Sequence, residues 1–465
     1  MQDHLSFTPI HALLEKRDSS DWASYWRASG KDNNHFMRFY PAYIASLMEK
    51  IKTSGAKRIF IIHQDRAFFL AAFLATLQLG IPVVFPPSDA PGLLKDVFEF
   101  GDGLLTDQED LSSFAPLFIS MGEVEVDIHT RVRFERLNPL EALITFYTSG
   151  STGTPKAIQK TLKHLEEEIG MLEETWRAQD KETTFLSTVP HQHIYGLLFS
   201  LLWPVCAGYP IRSHTFSYWE DVLREGDKEI YVVSSPSHLS RYPSFMEERE
   251  KPKIKAIFSS GGPLPFESVQ ETQIYLGTLP IEVYGSTETG GIAYRQQGGR
   301  KELWTKFRNV ELLIGDEGKL CVKSPYLPHG APYQTEDRVT LESEDCFHLL
   351  GRVDRIVKVE GKRVCLVEVE RRLQDLEDIQ EAAVLLLDTL NRDELGAVLV
   401  LSAEGQEKLA SLGKAKFVRG IRKRLSPYFE AVTLPRKWRF VSELPLNQQG
   451  KRSTLLLKDS FVESP

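Results

Sequence analysis

Cysteine is scarce and scattered. The 465-residue chain has four, Cys206, Cys321, Cys346 and Cys365, and no C-x-x-C pair. That spacing argues against a zinc site or a disulfide framework and suits a reducing compartment. No apolar run approaches the roughly 18 residues of a membrane span. The N-terminus, MQDHLSFTPI, lacks the charged-then-apolar pattern of a signal segment. The expectation is a cytoplasmic protein without a membrane partner. No fixed-period repeat, low-complexity tract or recognised nucleic-acid motif occurs, so no nucleic-acid partner is expected. The G-x-x-x-x-G-K-[ST] spacing of a Walker A loop is also missing.

What is present is ordinary globular material, 42% apolar, in a chain too long for one hydrophobic core. Net charge is −8, unevenly spread: from residue 351 onward 21 lysines and arginines face 17 acidic residues. A basic tail region on an acidic body points to an acidic partner for the tail. RIFIIH (Arg58–His63) reads as a strand, RAFFLAAFLATLQLG as a buried helix ending at Gly80, and IPVVF as the next strand. EIYVV and KAIFS continue this β–α rhythm, which implies a parallel sheet with ligands at the strand ends. Past Gly290, short strands such as VELLI, KLCVK and CFHLL suggest an antiparallel sub-domain or small barrel. After Gly351 comes a compact mixture that includes a long basic helix near Lys408–Leu425 and the strand WRFV. The expected fold is therefore α/β: a large parallel-sheet domain over 1–350 with a β-barrel-like sub-domain, then a small α+β domain over 351–465.

Five stretches carry chemistry. YTSGSTGTPK (Tyr147–Lys156) follows the apolar strand residues 142–146 and precedes TLKHLEEEIGMLEETW, where Leu162, Leu165, Ile169, Leu172 and Trp176 recur at helical spacing and Thr161 can cap. Its glycines, hydroxyls and lysine compose a phosphate cradle between strand and helix, although a polar surface loop has the same composition. VYGSTETGG (Val283–Gly291) offers a loop carboxylate at Glu288, and YQTED (Tyr333–Asp337) one at Asp337. GRVDRIVKVEGKR (Gly351–Arg363) packs charges around two glycines, and LPLNQQGKRS sets Lys451 on a glycine turn. Each alone is equally a solvated turn.

Together, in this order, the five stretches closely resemble the motifs of the adenylate-forming superfamily of acyl- and aryl-acid ligases over about residues 50 to 455. The resemblance implies two half-reactions: a carboxylate is adenylated with ATP to acyl-AMP and pyrophosphate, then a thiol displaces AMP. It implies that Thr148, Ser149, Gly150, Ser151, Thr152, Gly153 and Lys156 wrap the β- and γ-phosphates. Thr287 would meet the α-phosphate, and Glu288 would hold Mg2+. Asp337 and Arg352 would bind the ribose, while Gly261, Gly262, Tyr284 and Gly285 line the adenine. Lys451 would bridge the reacting anions, Asp354 would be the hinge of a mobile C-terminal domain, and Lys358 to Gly361 would meet the thiol arm.

His193-Ile194-Tyr195 resembles the acyl-slot motif of 4-coumarate-type ligases, with His193 as the gate. Tyr195, Gly262, Gly290 and Gly291 would leave a flat slot for an aromatic ring, and the absence of an acidic residue in Val189–Leu198 disfavours an amino acid. Ala157 after Lys156, Leu366 in place of a proline, and the short length resemble the aryl-acid ligases of aryl-polyene and xanthomonadin-type pigment clusters. Those load an acyl carrier protein through its phosphopantetheine thiol. An acidic carrier would suit Arg419, Arg422, Lys423, Arg424, Arg436, Lys437 and Arg439. Two alternatives stay open: free coenzyme A as acceptor, and a non-catalytic binder of acyl-adenylates. Oligomeric state is not legible.

Overall fold

The structure is a computed structural model that describes residues 7–26, 39–86, 89, 91–113, 115, 117–120, 124, 126, 133–149, 155–225, 229–243, 253–298, 303–328, 331–352, 355–359, 362–389, 392–426, 428–429, 431–446 and 454–461. Those residues fall into two compact units, one of residues 1–312 with 322–333, the other of 313–321 with 334–465. Among the described residues no helix is long and apolar enough to cross a membrane.

In the first unit a six-stranded sheet runs in the order 117–120, 102–106, 58–62, 83–85, 143–149, 155–161. Its first five strands are mutually parallel, the arrangement expected of a β–α rhythm. The helix Arg66–Gln78 is apolar on every side and almost wholly excluded from water. Asp65 caps it, its Oδ1 accepting from the Ala67 N–H at 2.8 Å, and Gly80 adopts φ +67° just beyond its end. A second sheet of this unit aligns strands 304–306, 290–295, 281–286, 254–259, 230–234 and 184–187, with parallel pairing from 281–286 onward.

One sequence expectation needs correction. Residues 155–161 are a strand paired antiparallel with Leu143–Ser149, with Thr148 opposite Lys156. A strand of a β-hairpin therefore stands between the phosphate-loop stretch and the helix, which begins at Leu162 after its N-cap Thr161, as expected. The strand was hidden because its residues are mostly polar, with only Lys160 fully buried. The helical spacing itself agrees with burial: Leu162, Leu165, Ile169 and Leu172 all face the interior.

In the second unit, strands Tyr333–Leu341 and Cys346–Arg352 pair antiparallel within a meander. A hairpin of 356–359 with 362–365 follows, then a sheet of 379–389, 392–401 and 437–441. The period-two pattern of the sheet separates its faces. Val384, Leu395, Ala397 and Leu399 join one core, while Ala383, Leu385, Val398 and Val400 join another. The long basic helix expected near Lys408–Leu425 is in fact two helices, Ala403–Leu412 and Lys414–Leu425. Gly413 between them sits at φ +75°, a left-handed conformation that an uninterrupted helix cannot contain.

Candidate active site

Two hairpins of the first unit bring one expected phosphate residue, Lys156, to the expected metal residue, Glu288. Strands Ile281–Ser286 and Gly290–Arg295 pair antiparallel, leaving Thr287, Glu288 and Thr289 as their turn. Ser286 and Thr289 lock this turn reciprocally, the Ser286 N–H donating to Thr289 Oγ1 (3.1 Å) and the Thr289 N–H to Ser286 Oγ (3.2 Å). Lys156, at the edge of the other tip, places Nζ 3.4 Å from Glu288 Oε1. Thr148 Oγ1 donates to the Lys156 carbonyl at 3.4 Å. Lys156 is largely exposed and Glu288 partly so, so a polyanion and a cation can reach both.

The glycines around the turn have specific reasons. A Cβ on Gly285 would lie 2.3 Å from the Gly290 carbonyl oxygen. At Gly290 (φ +69°) it would meet Glu168 Oε2 at 2.7 Å, and at Gly291 the Phe307 ring at 3.0 Å. The space at Gly290 and Gly291 is therefore taken by the protein's own side chains, a different reason for glycine from the flat slot expected. Gly261 (φ +93°) and Gly262 are exposed, and a Cβ on either would meet open space. The Tyr284 ring lies 5.4 Å from that of Trp304.

His193 ends the turn before the short helix Ile194–Leu197, its carbonyl accepting from the Leu197 N–H at 2.8 Å. Tyr195 is half-buried against Phe199, with ring centroids 4.9 Å apart, and burial holds its phenol well above the ordinary range. Two groups that the sequence reading passed over support this segment. His191 is buried, its Nε2–H donating to the His63 carbonyl at 3.0 Å, and desolvation keeps the ring neutral, far below the usual histidine range. Arg66 is buried without a carboxylate at ion-pair distance among the described residues, so desolvation pulls its guanidinium down to about 10. It donates to the carbonyls of Val189 (3.1 Å) and His214 (2.5 Å) and to Thr215 Oγ1 (3.1 Å).

A buried lysine and a buried glutamate also went unnoticed. Lys160 Nζ donates to the carbonyls of Tyr326 (3.0 Å) and Glu288 (3.3 Å). Glu168 Oε1 accepts from the Gly291 N–H at 2.6 Å, while Oε2 has no hydrogen-bond partner among the described residues. Burial lowers the Lys160 pKa and raises that of Glu168, each partly offset by the charge of the other. The signal for Glu168 was its place three residues after Leu165, on the apolar stripe of its helix.

In the second unit, Asp337 and Arg352 are register partners on adjacent antiparallel strands. The Asp337 N–H donates to Thr335 Oγ1 at 3.1 Å, and Gly351 before Arg352 has φ +109°. Of the basic cluster, four side chains serve the unit itself. Arg422 donates to the Pro435 carbonyl, Arg424 joins Lys408 on the buried Asp378, Lys437 pairs with Glu394 at 3.4 Å, and Arg439 donates to the Ser460 carbonyl at 2.9 Å. Lys451, Asp354, Gly361 and the loop residues Gly150, Ser151, Thr152 and Gly153 lie outside the described residues, as do the side chains of Ser149 and Lys358.

A sequence model of the AMP-binding enzyme family matches residues 95–330. A 4-coumarate–CoA ligase of Rhodobacter capsulatus is 28% identical over 67% of this chain and 74% of its own. A 3,4-dihydroxybenzoate–[aryl-carrier protein] ligase of Bacillus anthracis is 25% identical over 70% and 76%. Among solved structures, o-succinylbenzoate CoA synthetase of Bacillus subtilis, in complex with its acyl-adenylate, superposes with a TM-score of 0.71. That match is 22% identical and covers 91% of this chain and 93% of the other, a likeness of fold.

Proposed function

The chain belongs to the AMP-binding enzymes, and on that premise we propose that it adenylates an aryl carboxylic acid and passes the acyl group to a phosphopantetheine thiol. The observation that carries this reading is the meeting of Lys156 and Glu288, residues of two separate motifs, in one exposed ion pair. In the first half-reaction a carboxylate oxygen bonds to the α-phosphorus of ATP and the bond to the β-phosphate bridging oxygen breaks, releasing pyrophosphate. In the second the thiol sulfur bonds to the acyl carbon, AMP leaves and the thiol proton goes to water.

Lys156 and the loop before it would neutralise the β- and γ-phosphates, and Thr287 would donate to the α-phosphate. A single, partly exposed carboxylate fits magnesium, which takes most of its ligands from phosphate and water. Glu288 would hold that ion, whose charge offsets the triphosphate. By the same resemblance Asp337 and Arg352 take the ribose hydroxyls, and Gly261, Gly262, Tyr284 and Gly285 flank the base. Lys451 would offset the charge of the two approaching anions. Residues 351–465 would form the mobile domain, hinged at Asp354, that exchanges Lys451 for the segment from Lys358 to Gly361.

An aryl substrate is supported by the names of the relatives above and by the open space at Gly262. The acceptor has two readings. A carrier protein, as in pigment-cluster ligases, suits the net basic tail. Free coenzyme A is favoured by the internal engagement of Arg422, Arg424, Lys437 and Arg439, which leaves fewer cations for an acidic partner.

Carboxylate-dependent exchange of labelled pyrophosphate into ATP, run over a panel of aryl and fatty acids, tests the first half-reaction. Exchange with aryl acids is expected; no exchange with any acid would leave the non-catalytic reading standing. Loading of a phosphopantetheinylated carrier against coenzyme A then separates the acceptors, and turnover with coenzyme A alone overturns the carrier.

A further inference from the structure

Lys156 and Lys160 lie four residues apart on one strand, so their side chains share a face. Both reach Glu288, by different atoms. Lys156 meets its carboxylate and Lys160 its carbonyl oxygen, at 3.4 and 3.3 Å. The second Lys160 bond, 3.0 Å to the Tyr326 carbonyl, fixes the ammonium from the other side. Glu168 holds the start of the strand that follows the same turn through the Gly291 N–H, and its second oxygen lies against Gly290. The turn that carries Thr287 and Glu288 is thus held at its middle residue by Lys160 and just beyond it, at Gly291, by Glu168, two buried side chains of opposite charge.

Stability alone gives little reason for this arrangement. Desolvating an ammonium and a carboxylate costs several kcal/mol each, and apolar residues of similar volume often serve a core as well or better. Lys160 is 2% exposed and Glu168 3%, and no carboxylate stands within ion-pair distance of Lys160 among the described residues. Glu168 leaves one oxygen without a hydrogen-bond partner among the described residues, a further cost. What the pair provides is geometry. A main-chain carbonyl held by a rigid donor and an N–H held by a rigid acceptor fix the turn's backbone, and with it the direction of the Glu288 side chain.

We propose that Lys160 and Glu168 are positioning residues for Glu288, setting the turn that presents its carboxylate to the nucleotide and its cation. This rests on the adenylating reading above, so one readout is taken on the ligand-free enzyme. Amide hydrogen exchange should show Gly291 and Thr289 losing at least about tenfold in protection in Lys160→Met, with distant core amides unchanged. In pyrophosphate exchange the same variant should lower kcat at least tenfold and raise the Mg2+ concentration for half-activity, with KM for the acid unchanged. Lys160→Arg, which keeps charge and donors, should recover part of kcat. Glu168→Gln keeps an acceptor for Gly291 and should give the same pattern, more weakly.

Loss of protection with wild-type kcat and Mg2+ requirement would mean a purely structural pair and overturn the proposal. So would wild-type protection in Lys160→Met. If Lys160→Met does not fold, Glu168→Gln decides alone, and wild-type protection and kcat in it overturn the proposal. A wild-type enzyme inactive with every acid sinks the adenylating reading instead, while the ligand-free exchange still reports whether the pair holds the turn.

Discussion

Lys156 Nζ lies 3.4 Å from Glu288 Oε1, so side chains 132 positions apart meet where two hairpins turn. The pair is too exposed to matter much for folding, since such pairs contribute about 0–1 kcal/mol. Glu288→Gln and Lys156→Ala should both melt close to the wild type in a thermal scan. Glu288→Gln should lower pyrophosphate-exchange kcat by about 10²-fold, the scale of a lost electrostatic group. Lys156→Ala should lose less, because the loop's other donors remain. Equal losses from both variants would contradict this division.

The glycines give a contrast between stability and binding. Gly285→Ala drives a Cβ to 2.3 Å from the Gly290 carbonyl. Backbone cannot give way cheaply, so a cost of about 1–3 kcal/mol is expected, visible as a lower melting temperature. Gly262→Ala enters open space and should stay within about 0.5 kcal/mol of wild type. Its effect should appear as a raised KM for ATP or for the acid. Calorimetry and initial-rate kinetics on the two variants check both halves.

Lys451→Ala should abolish adenylation and leave thioester formation from supplied acyl-AMP intact. Each half-reaction is assayed separately, one with ATP and acid, the other with synthetic acyl-AMP and thiol. Equal loss of both steps would refute the alternation of Lys451 with the segment from Lys358 to Gly361.

Acid should weaken the fold through its buried and half-buried histidines. Desolvation lowers the His238 pKa from 6.5 to about 4, and its ring packs 4.9 Å from that of Trp219. Between those values the unfolded chain binds the proton and the folded one does not, so stability falls as pH drops through this window. His63, His191 and His214 are shifted down as well and add in the same direction. His238→Gln should flatten the decline of melting temperature between pH 6.5 and 4 without removing it. A decline as steep as that of the wild type would show that His238 does not contribute.

Elements whose burial follows a simple period were legible. The mostly apolar Arg66–Gln78 helix, the β–α alternation of the large unit and the helix bearing Leu165 and Ile169 all carry their partners' chemistry in their own spacing. The strand Pro155–Thr161 was not, since a polar edge strand has no periodic signature and is specified by its pairing with Leu143–Ser149. Nor was the break at Gly413, where one left-handed residue outweighs a helical composition on both sides.

The chain alone determined which chemistry is available and in what order: a hydroxyl-rich glycine loop, three later carboxylate or cation motifs, and a lysine near the end. Those are local facts, written in residue type and spacing. Only the tertiary structure decided that Lys156 meets Glu288, that Lys160 and Glu168 grip the turn between them, and that Gly290 and Gly291 make room for protein side chains. Apart from Gly291 against Phe307, each is a contact between residues more than a hundred positions apart. A lysine or glutamate among polar neighbours reads as a solvated face until packing removes the water around it.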